Sequence, residues 1–325
     1  MAKIVDLSDR YKLRFTGPQA LWFLDQLITN QVVDLAPGSG KQALLLTPKG
    51  RITAVLRVLS TEGAALIDLD ASDPAEVLEF FSMRIFATKV KIEEVTQEFA
   101  LLRVLGGDAA SQVSTIAREA GELPDEGNAI VPFDYGYLVN LDEPLEGLDL
   151  WVRGDSKDYI FGTLVESGVQ RLSGDEYEAY RVIAGVPRFG VDFDSSYLPQ
   201  EAAFERAVHF KKGCYLGQEA VAMAQRGKVK RRIRLLEGTG APVLGELRHG
   251  DVNVGSVTSI AGDGKGSFGI GTVKTVVAPG DEVQLRPANL DLEVGSAIVR
   301  ILPATVEGPS VPSARELRER LQGGR

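Results

Sequence analysis

The spacing of apolar residues in the first part of the chain predicts a mixture of strands and helices. Leu21, Leu24 and Ile28 lie at helical spacing after Thr16-Gly17-Pro18-Gln19, a helix-start sequence with Thr16 as N-cap and Gln19 at the capping-box position. The turn sequence Thr47-Pro48-Lys49-Gly50 separates two apolar runs and predicts a hairpin. We therefore expect a helix that ends at Thr29-Asn30, a hairpin of residues 42–46 and 51–59, strands at 11–15, 64–70 and 89–95, and a helix at 73–85.

A similar order of elements returns after residue 96. Strands are expected at 99–105 and 148–153, a hairpin at 130–141, and helices at 108–120, 155–167 and 175–184. Two successive β-α-β-β-α units are typical of an α+β fold with duplicated ferredoxin-like halves.

Short β segments separated by glycine follow from about residue 230, at 233–237, 252–260, 268–277, 282–285 and 294–302. This spacing predicts a small β-barrel. Ser313-Ala314-Arg315-Glu316 is a capping box that opens a short tail helix after a Pro/Gly linker. The predicted segments are 1–95 and 96–229 for the two α+β parts, 230–303 for the barrel, and 304–325 for the linker and tail.

Composition narrows the class of protein. The formal net charge of −9 argues against a general nucleic-acid coat protein. One cysteine permits no internal disulfide, which suits a reducing compartment, and two histidines are too few for a metal cage. The chain begins with no presequence pattern, and no apolar run approaches the roughly 18 residues that span a bilayer. We expect a cytoplasmic monomer without a bound metal.

The segment with the strongest chemical character is the Cys214 loop, residues 211–217. Gly213 and Gly217 flank the cysteine, and a helix-favouring run from Gln218 follows. A nearby helix N-terminus and the Lys212 ammonium would both favour the thiolate. The alternative is a small, inert, buried thiol. The residues alone leave both interpretations open.

Lys212 to Glu219, Lys-Gly-Cys-Tyr-Leu-Gly-Gln-Glu, resembles the signature of the YgfZ family of folate-binding proteins, which are related to the glycine cleavage T-protein. Further family motifs follow one another in the right order over residues 10 to 300. They are Thr16-Gly17 with Phe23-Leu24 and Ile28-Thr29-Asn30, Leu46 to Arg51, Gly185-Val186-Pro187, Gly190-Val191-Asp192, Leu198 to Ala202, and Gly255 to Ser259.

The resemblance implies a three-part ring around a channel that holds tetrahydrofolate. It also implies a role in assembly or repair of iron–sulfur clusters in other enzymes, including enzymes that modify tRNA. Cys214 and Lys212 would carry the chemistry, and Gly213, Tyr215, Gly217, Gln218 and Glu219 would shape the loop. Asn30, Glu201 and Arg226 are the candidate folate-binding residues. The expected partners are reduced folate, iron–sulfur enzymes or assembly proteins, and tRNA.

The sequence departs from the T-protein at two places. Arg51 to Leu56 contains no carboxylate where the T-protein has its catalytic Asp, which argues against aminomethyl transfer. Ile183 occupies the place of a Glu that hydrogen-bonds the pterin in the T-protein. If the hydrogen-bond donors of the pterin stay unpaired, binding loses about 1–3 kcal/mol. Folate binding is therefore expected to be weaker, altered or lost unless Glu201 or Glu178 supplies the acceptor.

A basic run follows the signature and consists of Arg226, Lys228, Lys230, Arg231, Arg232 and Arg234. It is either a solvated face or a seat for an anion such as a folate glutamate tail or a tRNA backbone. Three functions remain open: a folate-linked iron–sulfur accessory factor, a folate-dependent C1 transferase on an amine, and a non-catalytic tRNA- or protein-binding module.

Overall fold

The structure is a computed structural model of the chain. It describes residues 1–118, 121, 124–142, 144–226, 229–238, 243–262, 266–287 and, for the backbone, 297–301. Two compact units divide the chain: unit 1 contains residues 1–174 and 207–218, and unit 2 contains residues 175–206 and 219–325. The predicted tail helix and Lys228 lie outside the described residues.

Strands are the main elements of both units. They are β1 (Lys3–Asp6), β2 (Tyr11–Thr16), β3 (Gly40–Leu46), β4 (Ile52–Thr61), β5 (Ala64–Ala71), β6 (Lys91–Glu94), β7 (Phe99–Leu105), β8 (Ile130–Phe133), β9 (Gly136–Asn140), β10 (Gly147–Arg153), β11 (Gln170–Arg171), β12 (Arg231–Gly238), β13 (Gly245–His249), β14 (Val252–Gly262), β15 (Ser267–Lys274), β16 (Glu282–Pro287) and β17 (Ala297–Ile301). The α-helices are α1 (Ala20–Asp25), α2 (Pro74–Ser82), α3 (Ala109–Val113), α4 (Lys157–Glu166), α5 (Gly174–Ile183) and α6 (Gln218–Arg226).

Unit 1 contains two sheets. The five-stranded sheet has the order β3-β4-β5-β2-β6, with every neighbouring pair antiparallel. The six-stranded sheet has the order β11-β1-β7-β10-β9-β8, in which only β1 and β11 run parallel. The N-terminal strand β1 therefore belongs to the sheet formed by the second predicted segment. The ferredoxin-like duplication and the four segment boundaries stay predictions.

The central strands of unit 1 are buried on both faces. Successive side chains in a strand point to opposite faces, and Leu56 and Val58 of β4 pack with α1 and α2 while Leu59 packs in a cluster that also contains Leu101 and Trp151 of the other sheet. One face of β4 is fully buried and consists of Ile52, Ala54, Leu56 and Val58. The two sheets therefore share an inner layer.

A network of buried charges lies in this inner layer. The Arg57 Nη2 atom is 2.7 Å from a carboxylate oxygen of Asp68 and 2.7 Å from one of Asp149. Arg103 makes two bonds to Asp149, of 2.7 and 2.8 Å, and Arg10 pairs with Asp68. Burial alone would raise the pKa of Asp149, but the guanidinium groups of Arg103 and Arg57 lower it to about 2. Asp68 is thus held ionised by Arg10 and Arg57, and Asp149 by Arg57 and Arg103, so that Arg57 links the two sheets.

Two helices differ from the sequence prediction. Helix α1 begins at Ala20 instead of Thr16, because the chain turns at Gly17, where φ is +106°, and Gln19 Oε1 accepts the Lys89 amide instead of capping the helix. Helix α3 ends at Val113 instead of residue 120. The Ser114 and Thr115 hydroxyls donate to carbonyls three residues back, which competes with helical pairing.

Unit 2 contains a closed barrel with the strand order β12-β15-β14-β13-β16-β17. Helix α5 is tied to the barrel by polar groups. Arg181 Nη1 donates to Asp192 at 2.7 Å, Arg181 Nη2 donates to Ser259 Oγ at 2.8 Å, and Ser259 Oγ donates to Asp192 at 2.6 Å. Arg181 and Asp192 are both buried, so each charge is compensated within unit 2. Among the described residues, no helix combines the length and hydropathy needed to cross a membrane.

Candidate functional site

Cys214 is a free, exposed thiol in unit 1. Gly213 is exposed as well, whereas Lys212 and Tyr215 on either side are only 9% and 7% exposed. Apart from its chain neighbours, a β-carbon added at Gly213 would have no heavy atom within 4 Å, so the space beside Gly213 is open. The two exposed residues between the buried Lys212 and Tyr215 form the Gly213–Cys214 tip of the loop. The exposure of the thiol contradicts the alternative of a buried cysteine, and the functional role of Cys214 stays a prediction.

Lys212 anchors one end of the tip. Its Nζ atom donates to the carbonyl oxygens of Asp25 at 2.6 Å, Asn30 at 2.7 Å and Ile28 at 3.1 Å. A carboxylate oxygen of Asp25 lies 3.2 Å from the same atom. Burial lowers the pKa of Lys212, and the Asp25 carboxylate opposes that effect. Because an ammonium has three N–H donors, the carbonyls of residues 25–30 use its full donor capacity, and its predicted effect on the thiol stays a prediction.

The segment that receives Lys212 is itself fixed by side-chain hydrogen bonds. Asp25 Oδ1 accepts the backbone amides of Val32 and Val33 at 2.8 and 3.2 Å. Asn30 Nδ2 donates to the Gln42 carbonyl at 2.8 Å. Asn30 is therefore part of the framework that holds the Cys214 loop, and its predicted contact with folate stays a prediction.

Thr29 links the chain just before the Cys214 loop to β3. Its hydroxyl donates to the Ala207 carbonyl at 2.6 Å and accepts the Leu44 amide at 2.8 Å, and its carbonyl accepts the His209 amide at 3.0 Å. The sequence analysis did not single out Thr29 or Asp25 as site residues. Thr29 lies in one of the quoted family motifs, whereas Asp25 carries no signal in the sequence because its partner is 187 residues away.

Gly217 anchors the other end of the Cys214 loop. Its φ angle is +82°, and an added β-carbon would lie 2.5 Å from the Thr47 carbonyl oxygen and 3.0 Å from Gly50 Cα. Those two residues close the hairpin turn between β3 and β4, where the Gly50 amide donates to the Thr47 carbonyl at 2.9 Å. The predicted hairpin turn therefore lies directly against the predicted signature loop.

Tyr215 and Gln218 complete the loop. Burial raises the pKa of the Tyr215 hydroxyl to about 12, and Lys212 Nζ lies 5.7 Å from the centre of its ring. Gln218 Nε2 is 3.4 Å from the Lys212 carbonyl, so the first residue of α6 reaches back to the start of the tip. Glu219 is exposed and belongs to unit 2.

The remaining predicted folate residues lie in unit 2. Glu201 is 8% exposed; one of its carboxylate oxygens accepts the Leu198 amide at 3.0 Å and the other is 3.6 Å from Arg231 Nε. Arg226 is exposed at the end of α6. Within the basic run, Arg232 pairs with Glu205 at 2.6 Å. Arg231 and Arg232 thus have partners inside unit 2.

Ile183, which was compared above with a Glu of the T-protein, is an apolar and buried residue. Ile183 is 4% exposed at the end of α5. Glu178, on the same helix, gives one carboxylate oxygen to Arg181 at 2.7 Å and the other to Arg188. Ile183 has no carboxylate, and both carboxylate oxygens of Glu178 are already bonded to arginines. In the part of the chain that the structure describes, no three His, Cys, Asp or Glu side chains are grouped for metal binding.

Comparisons with known proteins show what the family and the fold of the chain are similar to. Residues 1–125 match the family model described as the GCVT N-terminal domain. The chain is 28% identical to an aminomethyltransferase of Rubrobacter xylanophilus, over 88% of this chain and 79% of that protein. It is 27% identical to the tRNA-modifying protein YgfZ of Klebsiella pneumoniae, over 76% of this chain and 77% of that protein. It is also 25% identical to a protein named as a chloroplastic transferase of Arabidopsis thaliana, over 85% of this chain and 66% of that protein, just under two thirds of its length.

Among solved structures, the aminomethyltransferase T of the glycine cleavage system from Bartonella henselae superposes with a TM-score of 0.79 at 19% identity, covering 93% of this chain and 85% of that one. The protein therefore has the GcvT aminomethyltransferase fold, with mixed α/β sheets. Within that class, the matches to the GCVT N-terminal domain and to YgfZ proteins confirm the resemblance to a YgfZ-type, GcvT-like family that was drawn from the signature motifs.

Proposed function

We propose that this protein is an accessory factor in tRNA modification, which supports assembly or repair of iron–sulfur clusters in the modifying enzymes through the Cys214 thiol. The observation that carries the proposal is the exposed Cys214 on a two-residue tip with open space beside it. The YgfZ relatives are named tRNA-modifying proteins, which supports the tRNA part of the proposal. Iron–sulfur enzymes or their assembly proteins are the proposed partners.

The single thiol limits what the protein can do with a cluster. Iron–sulfur clusters are held by four protein ligands as a rule, and this chain has one cysteine. The cluster, or the sulfur that it needs, is therefore cargo that Cys214 contacts while a client protein supplies the remaining ligands. A thiolate is the form that ligates iron or attacks sulfur, and an exposed thiol can reach a client.

Replacement of Cys214 by Ala tests the proposed function. A host strain that lacks its own YgfZ-type protein would be complemented with wild type, Cys214→Ala or the control Lys211→Met, whose side chain is exposed next to the site. We expect Cys214→Ala to fail in restoring a sulfur-containing tRNA modification and the activity of an iron–sulfur enzyme under oxidative stress. Restoration equal to wild type would contradict the role of the thiol.

Tetrahydrofolate is the cofactor that the family suggests, but the residues at the pterin-binding position do not fit it. Ile183 has no acceptor, and both carboxylate oxygens of Glu178 are taken by arginines. Glu201 is bound to the Leu198 amide and lies near Arg231. No step of the proposed function therefore passes through folate, and we expect the wild-type protein to bind reduced folate weakly.

Titration of the purified protein with tetrahydrofolate checks this expectation. Ile183→Glu should bind more tightly than wild type by roughly 5- to 150-fold, because a restored acceptor for the pterin donors is worth about 1–3 kcal/mol. Ala179→Glu adds the same charge to the same helix and serves as the control. Tight binding by wild type, with no gain in Ile183→Glu, would show that another group accepts the pterin.

Aminomethyl transfer is the second candidate function, since a relative over most of the chain carries the name aminomethyltransferase. The lack of a carboxylate from Arg51 to Leu56 argues against it. Formation of methylene-tetrahydrofolate from an aminomethylated donor would favour this candidate. Binding to tRNA alone, with a steep dependence on salt, would instead favour a non-catalytic binding module.

A further inference from the structure

The Gly213–Cys214 tip lies between two fixed points of unit 1. Lys212 is bound to the end of α1, and Gly217 is packed against the turn between β3 and β4. We infer that Lys212 and Gly217 are positioning residues, which hold the tip from both ends and so present the Cys214 thiol in one place. The inference rests on the proposed role of Cys214 and assigns to Lys212 a task other than ionising the thiol.

The Lys212 anchor is strong because a buried ammonium needs a complete set of acceptors. Its Nζ atom has three carbonyl oxygens and one carboxylate oxygen within 3.2 Å, all from residues 25–30. Withdrawal of the side chain would leave the buried Asp25 carboxylate without its cation. The start of the tip therefore cannot move away from α1 without exposing or orphaning these groups.

The Gly217 anchor depends on close backbone contact. A φ angle of +82° is readily adopted by glycine and disfavoured for residues with a β-carbon. The atoms that a β-carbon would meet belong to the backbone of Thr47 and Gly50, which cannot turn aside as a flexible side chain can. An alanine at this position must therefore displace either the hairpin turn or the Cys214 loop.

The two anchors explain why the tip is short. Lys212 and Tyr215 are both buried, and the two residues between them, Gly213 and Cys214, are exposed. A loop that is ordered before a partner arrives loses little conformational entropy on binding. Preorganisation of this kind is what a thiol needs if it must meet a cluster or sulfur atom on another protein in a defined geometry.

Spin labelling of Cys214 tests the inference directly, because the chain has one cysteine and a nitroxide attaches there alone. Full-length wild type, Lys212→Met, Gly217→Ala and the control Lys211→Met would be labelled and compared. We expect Lys212→Met and Gly217→Ala to shorten the rotational correlation time of the label by about twofold or more, since local ordering is lost. The Lys211→Met spectrum should match wild type.

Two further measurements make the outcome unambiguous. Hydrogen exchange of the amides of residues 213–217 should be faster in both anchor variants while the rest of unit 1 exchanges as in wild type, which separates loss of the anchor from loss of the fold. The pH dependence of thiol alkylation in Lys212→Met should keep the wild-type midpoint, because the ammonium positions the loop. Unchanged label motion in both variants, or a shifted midpoint with unchanged motion, would overturn the inference. Restoration equal to wild type by Cys214→Ala would instead refute the proposed function. The label measurements would still decide whether Lys212 and Gly217 hold the tip.

Discussion

Two groups of buried charges in unit 1 are built differently. Between the sheets, Asp68 and Asp149 each meet two arginines, and Arg57 bridges the two carboxylates. At the site, the Lys212 ammonium meets one carboxylate and three backbone carbonyls. The first group joins β4, β5, β7 and β10, whereas the second joins one loop to the end of one short helix.

The difference indicates which buried charges stabilise the fold and which fix the geometry of the Cys214 loop. Removal of one member of a closed network of charges leaves the others buried and unpaired in the middle of the inner layer. Loss of the Lys212 contacts leaves one buried carboxylate, that of Asp25, without its cation at the end of α1, outside both sheets, and releases the Cys214 loop. Stability and site geometry should therefore respond to different substitutions, and this separation can be tested.

The largest effect should come from Asp149→Asn. This substitution leaves Arg57 and Arg103 with too little negative charge in a fully buried position, and breaking a buried pair typically costs about 3–5 kcal/mol. Denaturant unfolding measures the change, with the exposed Asp155→Asn as the control. The motion of a spin label on Cys214, measured under folding conditions, should stay as in wild type. A loss below about 1 kcal/mol would contradict the importance of the network.

Acid should weaken the network of buried charges in the inner layer. The pKa of Asp149 is about 2 in the folded protein and 3.8 ordinarily, so its ionised form stabilises the fold above pH 3.8, and that stabilisation is lost as the pH falls towards 2. The contribution is roughly 2 kcal/mol. The pKa of Asp68 is lowered as well and acts in the same direction. Unfolding measured between pH 5 and pH 2 should show a shallower decline in Asp149→Asn than in wild type; equal slopes would contradict this assignment.

Local patterns in the sequence predicted much of unit 1. The hairpin at 42–46 and 51–59 is present as β3 and β4, because the turn sequence at 47–50 and the flanking apolar runs are local signals. Strand β1 was missed, since its four residues become a strand only by pairing with β7. The start of α1 was wrong because Gln19 bonds to Lys89, a partner that spacing within the helix cannot reveal.

The same limit applies to the site. The cysteine, its glycines and the buried Tyr215 all lie in one short motif that the sequence made visible. The anchors depend on contacts that cross the chain: Lys212 reaches residues 25–30, and Gly217 reaches Thr47 and Gly50. The sequence therefore brought together the residues of the Cys214 loop but not the residues that hold it, and the effect of Lys212 on the thiol stays a prediction, because adjacency in sequence was the only geometry available.

The smallest and most selective effect should come from the two glycines of the Cys214 loop. Gly217→Ala should cost about 1–2 kcal/mol, because a β-carbon is disfavoured at its positive φ angle and meets the Thr47 carbonyl. Gly213→Ala should change the free energy of unfolding by less than about 0.5 kcal/mol, because its added methyl group meets nothing. Because Gly213 is the chain neighbour of Cys214, Gly213→Ala should slow alkylation of Cys214 by a bulky maleimide more than by iodoacetamide. Equal stability losses in the two variants would show that the loop is held along its whole length instead of at its ends. Equal alkylation rates for Gly213→Ala and wild type would show that the space beside Gly213 does not govern access to the sulfur.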